Sequence, residues 1–111
     1  GHKFIADYVI ENDYVDKAIN SFIKDGKLVA AICAGPMTIG KLGYLRNRRF
    51  TCFPTCEEGI DGIYTKNGVE VDGNIITGKS MAYTIPFALE IVKYVLGEEK
   101  AKQVENNIYA K

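Results

Sequence analysis

The first part of the chain shows apolar residues at helical spacing. The apolar positions between residues 14 and 22 are Tyr14, Val15, Ala18, Ile19 and Phe22. Their spacing predicts an amphipathic helix that buries these side chains. The polar positions expected to face outward are Asp16, Lys17, Asn20 and Lys24. Asn12 or Asp13 can cap this helix, and Asp25-Gly26 ends it.

A continuous apolar run, Leu28 to Ile32, comes next and leads directly into Cys33. A run of this length predicts a strand that is buried on both faces. The small residues Ala34-Gly35-Pro36 permit a tight turn into a short helix that ends near Leu45. The sequence therefore predicts a strand, a sharp turn at a cysteine, and a helix.

The middle of the chain predicts short strands separated by turns. Residues 50–53 predict a strand that ends before Pro54. The basic segment from Arg46 to Arg49 predicts a turn before this strand. Asn67-Gly68 and Asp72-Gly73 are turn signals, and residues 62–65, 69–71 and 74–77 predict short strands in a hairpin or meander.

The last third of the chain predicts a loop and two helices. Residues 78–82 form the loop, and Thr84 caps a helix that carries Pro86 in its first turn. The positions expected to form its buried face are Phe87, Ile91, Val95 and Leu96. Gly97 ends this helix, and a weaker one follows from Glu98 to about Tyr109. Alternating strands and helices predict one α/β domain over residues 1–111, with a mostly parallel sheet and the hairpin toward its edge.

Composition excludes several classes of protein. The 111 residues are 47% hydrophobic and 25% charged, as expected for a globular domain. Fourteen basic and fourteen acidic residues cancel, so charge gives no reason to expect binding to nucleic acid or to a membrane surface. No apolar stretch approaches the roughly 18 residues of a membrane span, and no signal peptide is evident. We therefore expect a cytoplasmic location.

The cysteine count argues against a disulfide framework. There are three cysteines, an odd number, which favours reduced thiols in a cytoplasmic protein. Cys52 and Cys56 are four positions apart, but no second pair accompanies them and the one histidine is His2. We therefore expect no metal site and no cofactor.

Cys33 is the strongest candidate for chemistry. A cysteine at a strand-to-helix turn lies beside unpaired N–H groups of the helix N-terminus, which stabilise a thiolate. The same N–H groups can donate to the oxyanion that forms when the sulfur attacks a carbonyl. The alternative is a small buried hydrophobic residue, since free cysteine is often buried.

Several segments, in order, resemble one protein family. They are Lys27 to Pro36 around the cysteine, Phe50 to Pro54 with Glu57-Glu58, the Asp72-Gly-Asn-Ile-Ile-Thr77 hairpin, the helix from Phe87 to Val92, and Gly1-His2. Together they resemble the DJ-1/ThiJ/PfpI superfamily, which has the class I glutamine amidotransferase-like fold. The resemblance implies a flavodoxin-like or Rossmann-like three-layer α/β/α sandwich and a homodimer. It also implies that strands preceding Gly1 complete the domain, and that a glutamate among them contacts the cysteine.

The resemblance also assigns roles to individual residues. Cys33 becomes the nucleophile, with the backbone N–H groups of Ala34 and Gly1 as oxyanion donors. The pocket residues that it implies are Gly35, Pro36, Phe53, Pro54, Lys79 and Ser80. Some relatives carry a histidine where this chain has Ala34 or Phe53, so an obvious general base is absent.

Two functions fit these residues. The first is a cysteine-dependent enzyme of the glyoxalase or deglycase type, because a small reactive aldehyde presents no leaving-group problem. The second is a stress-response protein that senses oxidants through Cys33 without turnover. A cysteine peptidase or amidase is a weaker alternative, because cleavage of an amide needs proton delivery to a poor leaving group.

Four further side chains are considered beside Cys33. Cys52 lies in a predicted strand and is interpreted as packing, whereas Cys56 is a candidate second oxidisable thiol. Glu57 and Glu58 are interpreted as helix-end carboxylates rather than catalytic groups.

Overall fold

The computed structural model describes residues 13–109, with side chains from Lys17 onward. The helices are α1 (Asp13–Lys24), α2 (Pro36–Lys41), α3 (Thr84–Leu96) and α4 (Glu98–Tyr109), with a 3₁₀ turn at Met81–Tyr83. The strands are β1 (Val29–Ile32), β2 (Arg49–Phe50), β3 (Ile63–Tyr64), β4 (Val69–Asp72) and β5 (Ile75–Gly78). These elements confirm the predicted alternation of strands and helices.

The main sheet has three strands in the order β1-β5-β4. β1 and β5 are parallel, with Val29 opposite Ile75 and Ile32 opposite Gly78. β4 and β5 form the antiparallel hairpin, which places β4 at one edge as predicted. β5 is buried at every position, as expected for the central strand.

The core lies under this sheet and under the adjoining loops. Its fully buried apolar members are Ile39, Leu45, Phe50, Cys52 and Ile75. Ile39 comes from α2, Phe50 from β2 and Ile75 from β5, so three separate segments converge on one cluster. Because Ile39 anchors α2 in this core, the turn that precedes α2 is held in place.

The basic turn has a structural role that the sequence did not indicate. The guanidinium of Arg48 donates to the carbonyl of Asp72 at 3.0 Å. The backbone N–H of Arg49 donates to Oδ2 of Asp72 at 2.9 Å, and Arg49 also reaches the carbonyl of Val71 at 3.3 Å. The turn therefore fastens β2 to the end of the β4–β5 hairpin.

The predicted strand at residues 50–53 and the predicted meander are corrected. β2 ends at Phe50. The N–H of the next residue, Thr51, donates to Oγ1 of Thr77 on β5 at 2.9 Å. β3 pairs with β2 in a parallel, two-stranded sheet of its own and does not join the hairpin.

Two helix predictions also need correction. Asn20 does not point outward from α1, since its Oδ1 accepts a hydrogen bond from the hydroxyl of Tyr44. Thr84 does not cap α3 but occupies its first position, and its hydroxyl donates to the carbonyl of Met81 at 2.7 Å. A 3₁₀ turn immediately before the helix takes the place of the expected cap.

Several apolar side chains that were expected to be buried are exposed. Phe22 on α1 is 45% exposed, and Val95 and Leu96 at the end of α3 are each 61% exposed. The ammonium group of Lys27 lies over the Phe22 ring, 5.4 Å from its centroid. An apolar groove of about 340 Å³ also runs along β1 between Ile19 and Ile39.

β1 lies at the second edge of the main sheet in the described region, although its apolar sequence is typical of an interior strand. An exposed strand edge beside an apolar groove favours further pairing. We therefore expect residues 1–111, produced alone, not to form a stable monomer, because total domain stability is only about 5–15 kcal/mol. Sedimentation and thermal unfolding of this fragment test the expectation. A soluble monomer with a sharp cooperative transition would contradict it.

Candidate active site at the Cys33 elbow

Cys33 lies in the turn directly after β1 and has a φ angle of 60°. A non-glycine residue in this left-handed region is uncommon and strained. Two hydrogen bonds hold it there. Its N–H donates to the carbonyl of Gly78 at 3.0 Å, and its carbonyl accepts from the N–H of Phe53 at 2.8 Å. This is the strand–turn–helix geometry of a nucleophile elbow.

One backbone donor at the elbow is available to a ligand. The N–H of Cys33 is engaged by Gly78, and the N–H of Gly35 donates to the carbonyl of Ile32 at 2.9 Å. The N–H of Ala34 has no acceptor within residues 13–109. The amide next to the sulfur-bearing residue is therefore the one that can donate to an oxyanion.

Gly35 is required by close packing at the turn. A Cβ atom at this position would lie 3.1 Å from both the Ala31 Cβ and the Ile32 carbonyl oxygen. The residue also has helical angles immediately before Pro36, a combination that a Cβ atom disfavours. A larger residue would push α2 away from β1 and change the direction of the elbow.

Three segments meet at this end of the sheet. The first is the elbow, Cys33 to Pro36. The second, Phe53-Pro54, is joined to the elbow through the Phe53 N–H. The third, Lys79-Ser80, follows β5 directly after Gly78, whose carbonyl holds Cys33. Carboxyl ends of parallel strands form the ligand crevice in sheets of this kind.

Two hydrogen bonds join the Cys33 elbow to Phe53 and to Gly78, the chain neighbours of Pro54 and of Lys79. Ala34 and Pro36 are buried, and Pro54 is exposed. The half-buried residues are Cys33, Gly35, Phe53, Lys79 and Ser80. Gly1 lies outside the described residues, so its role as a second donor stays a prediction.

The segment after β2 carries two more thiols. Cys52 is fully buried in the core, and burial raises the pKa of its thiol to about 12, with Cys56 and Glu57 adding to the effect. Burial also raises the pKa of Cys56, as do the charges of Glu57 and Cys33. The sequence places Cys56 in a loop near the elbow, and the structure joins that loop to Cys33 through Phe53.

The interpretation of Glu57 and Glu58 as helix-end carboxylates is wrong. Residues 54–59 form consecutive turns, and no helix begins there. Glu57 is half-buried, and its Oε1 is enclosed without a hydrogen-bond partner. It therefore acts on its surroundings through charge, and it contributes to the raised pKa of Tyr64 after burial and Cys52.

Metal and membrane sites were also considered. Residues 13–109 contain no group of three or more His, Cys, Asp or Glu side chains that could hold a metal ion. Within the same range, no helix has the length and apolar character needed to cross a membrane.

Comparison with known proteins identifies the family. The DJ-1/PfpI family profile matches residues 1–94. The chain belongs to the DJ-1/PfpI family. It is 33% identical over 94 residues to an uncharacterized protein of Methanocaldococcus jannaschii, an alignment that covers 80% of this chain and 46% of that protein. It is 34% identical over 93 residues to protein DJ-1 homolog B of Arabidopsis thaliana, covering 81% and 21%.

Solved structures confirm the flavodoxin-like α/β fold. DJ-1beta of Drosophila melanogaster has a TM-score of 0.87 at 28% sequence identity, covering 96% of this chain and 59% of that one. The chain therefore spans 46% and 21% of the two curated relatives above, and 59% of the solved structure.

Two relatives carry names that describe a reaction. One is the glutathione-independent glyoxalase DJR-1.2 of Caenorhabditis elegans, 30% identical over 93 residues and matched over 81% of this chain and 50% of its own length. The other is an isonitrile hydratase of Pseudomonas putida, 26% identical over 100 residues, with 87% and 44% covered.

Replacing Gly78 with alanine tests how the elbow is held. A Cβ atom there would lie 2.8 Å from Ile32 Cγ1 and 2.9 Å from Phe87 Cδ1. We expect Gly78→Ala to lower the free energy of unfolding by about 1–3 kcal/mol, as overpacking does. It should also slow alkylation of Cys33, because the carbonyl that holds the elbow must move. Urea unfolding and iodoacetamide kinetics measure the two effects. Ser80→Ala is the matched control for stability. An equal loss of unfolding free energy in Ser80→Ala would contradict the packing argument.

Because burial raises the pKa of the Cys52 thiol, we expect the protein to lose stability in alkaline solution. The neutral form of Cys52 is favoured in the fold, so its pKa lies at about 12 in the folded state against 9.0 for an unperturbed thiol. The stabilisation is fully present below pH 9.0 and decreases as the pH rises toward 12, because the unfolded chain ionises first. Urea unfolding of the complete gene product at a series of pH values should show this decrease. Cys52→Ala should reduce its slope, and an unchanged slope would contradict the assignment.

Proposed function

We propose that the complete gene product converts small reactive carbonyl compounds, of the glyoxalase or deglycase type, with Cys33 as the nucleophile. The observation that carries the proposal is the elbow itself. Cys33 is held in a left-handed conformation, and the adjacent Ala34 N–H has no acceptor among the described residues. Nucleophile and oxyanion donor thus lie on consecutive residues.

The first step would be addition to an aldehyde. The Cys33 thiolate attacks the carbonyl carbon, a C–S bond forms, and the carbonyl π electrons move onto oxygen. The Ala34 N–H donates to this developing oxyanion. The elbow is fixed before substrate arrives, so little reorganisation accompanies the step.

The following proton transfers need a carboxylate near the sulfur. In the described part of the chain, no carboxylate is hydrogen-bonded to Cys33. Family resemblance assigns this role to a glutamate preceding Gly1. Lys79 and Ser80 lie at the same end of the sheet and are proposed to contact the substrate.

Aldehyde chemistry fits these residues better than amide cleavage. A histidine next to the nucleophile would serve as proton donor to a leaving amine, but Ala34 and Phe53 occupy those positions. Addition to an aldehyde has no leaving group. The similarity to a named glyoxalase supports the same choice, although at only 30% identity.

Lactate production from methylglyoxal tests the proposal. We expect Cys33→Ser in the complete gene product to lower the rate by at least about a hundredfold, because the hydroxyl is a far weaker nucleophile at neutral pH. An enzymatic lactate assay measures the rate.

Cys52→Ala is the matched control, since it removes a thiol that lies in the core and not at the elbow. It should retain most of the activity of the folded protein. Equal rates for the unmodified protein and Cys33→Ser would refute the proposal.

A further inference from the structure

The segment after β2 places a second thiol next to the elbow. We propose that Cys56 is the resolving cysteine for Cys33: after a hydroperoxide oxidises Cys33, Cys56 closes an intramolecular disulfide with it. Oxidation of Cys33 alone is the sensing function considered above. The assignment of Cys56 goes beyond it and does not depend on any carbonyl chemistry.

The main chain connects the two residues through two hydrogen bonds. The Phe53 N–H donates to the Cys33 carbonyl at 2.8 Å, and the Cys56 N–H donates to the Phe53 carbonyl at 2.9 Å. The second bond closes a turn that folds Cys56 back toward the residue bonded to the elbow. Cys33 and Cys56 are both half-buried, so an oxidant can reach either of them.

The pKa of Cys56 agrees with this arrangement. Burial raises it most, followed by the charge of Glu57 and then that of Cys33. Cys33 is therefore close enough to Cys56 in the fold for its charge to act on that thiol. The Glu57 Oε1 is enclosed and has no hydrogen-bond partner among residues 13–109.

Backbone strain marks the turn that carries Cys56. Thr55 has a φ angle of 77°, in the left-handed region that β-branched residues rarely adopt. Cys33 has a φ angle of 60°. Strained residues of this kind persist where the surroundings hold them, and they cluster at functional sites. Of the four non-glycine residues with positive φ angles in the described part of the chain, one is Cys33 itself and another, Thr55, directly precedes Cys56.

Cys52 does not compete for this role. Its side chain has no exposed surface and belongs to the apolar core cluster. Burial also raises the pKa of its thiol to about 12, so almost no thiolate forms at neutral pH. Of the three cysteines in this sequence, Cys56 is therefore the one proposed as the partner of Cys33.

The chemistry balances with a hydroperoxide as the oxidant. The Cys33 thiolate attacks the outer oxygen, the O–O bond breaks, and the alkoxide or hydroxide leaves with a proton from solvent. The product is a sulfenic acid, in which sulfur has lost two electrons. The Cys56 sulfur then attacks the Cys33 sulfur, the S–O bond breaks, and the hydroxyl leaves with the thiol proton as water.

Hydrogen peroxide is the probe for the test. The complete gene product is reduced, freed of reductant, treated with a small excess of peroxide, alkylated and digested without reduction. We expect mass spectrometry to find the peptide of Cys33 linked to that of Cys56 within a monomer. We also expect dithiothreitol to reverse the link. Oxidation of Cys33 to sulfinic acid without a link, a link to Cys52, or a link between two molecules would each overturn the proposal.

Variants separate the two thiols. Cys56→Ser should prevent the link, prolong the dimedone-reactive sulfenic acid, and increase sulfinic acid at Cys33 by at least about tenfold. Cys52→Ala is the matched control and should form the link like the unmodified protein. If Cys56→Ser does not fold, Cys56→Ala replaces it in the experiment. If neither variant folds, the peptide map of the unmodified protein alone decides whether Cys33 is linked to Cys56. Equal sulfinic acid in the Cys56 variant and the control would contradict the assignment. Loss of lactate production in Cys33→Ser addresses the carbonyl activity separately.

Discussion

The candidate site depends on the hydrogen bonds made by the peptide groups on either side of Cys33. The N–H of Cys33 is bound by Gly78 at the end of β5, and its carbonyl is bound by Phe53 from the loop after β2. These two bonds hold a strained conformation that an isolated turn would not maintain. They also bring the segments after three strands to one place.

Close packing reinforces that constraint. Gly35 and Gly78 lie where a Cβ atom would meet backbone or buried side chains, so α2 and β5 approach β1 more closely than other residues allow. The elbow is thus fixed from two sides. A nucleophile held in this way loses little entropy when it reacts, which is the physical advantage of building a site on rigid elements.

The three thiols show how position in the fold determines chemistry. Cys52 and Cys56 are four residues apart, yet the first has no exposed surface whereas the second lies half-buried in a turn. Burial removes Cys52 from thiolate chemistry by raising its pKa. Burial raises the pKa of Cys56 as well, with smaller effects of Glu57 and Cys33, but its side chain stays partly accessible. Identical side chains therefore have different exposure and different reactivity.

Local pattern in the sequence determined the elements whose signals are short-ranged. The strand before Cys33, the turns at Asp72-Gly73 and Gly97, and the cysteine at a strand-to-helix turn follow from hydrophobic runs and turn residues. The family resemblance depended on those same segments, in their order along the chain.

Tertiary structure decided what depends on contacts between distant residues. No sequence signal shows that Thr51 bonds Thr77, or that Asn20 faces Tyr44 instead of solvent. The sequence places Cys56 in a loop near the elbow, but the turn that folds it back toward the residue bonded to Cys33 is seen only in the structure. Hydrogen bonds and burial between remote segments set these features, and they exist only once the sheet has brought the segments together.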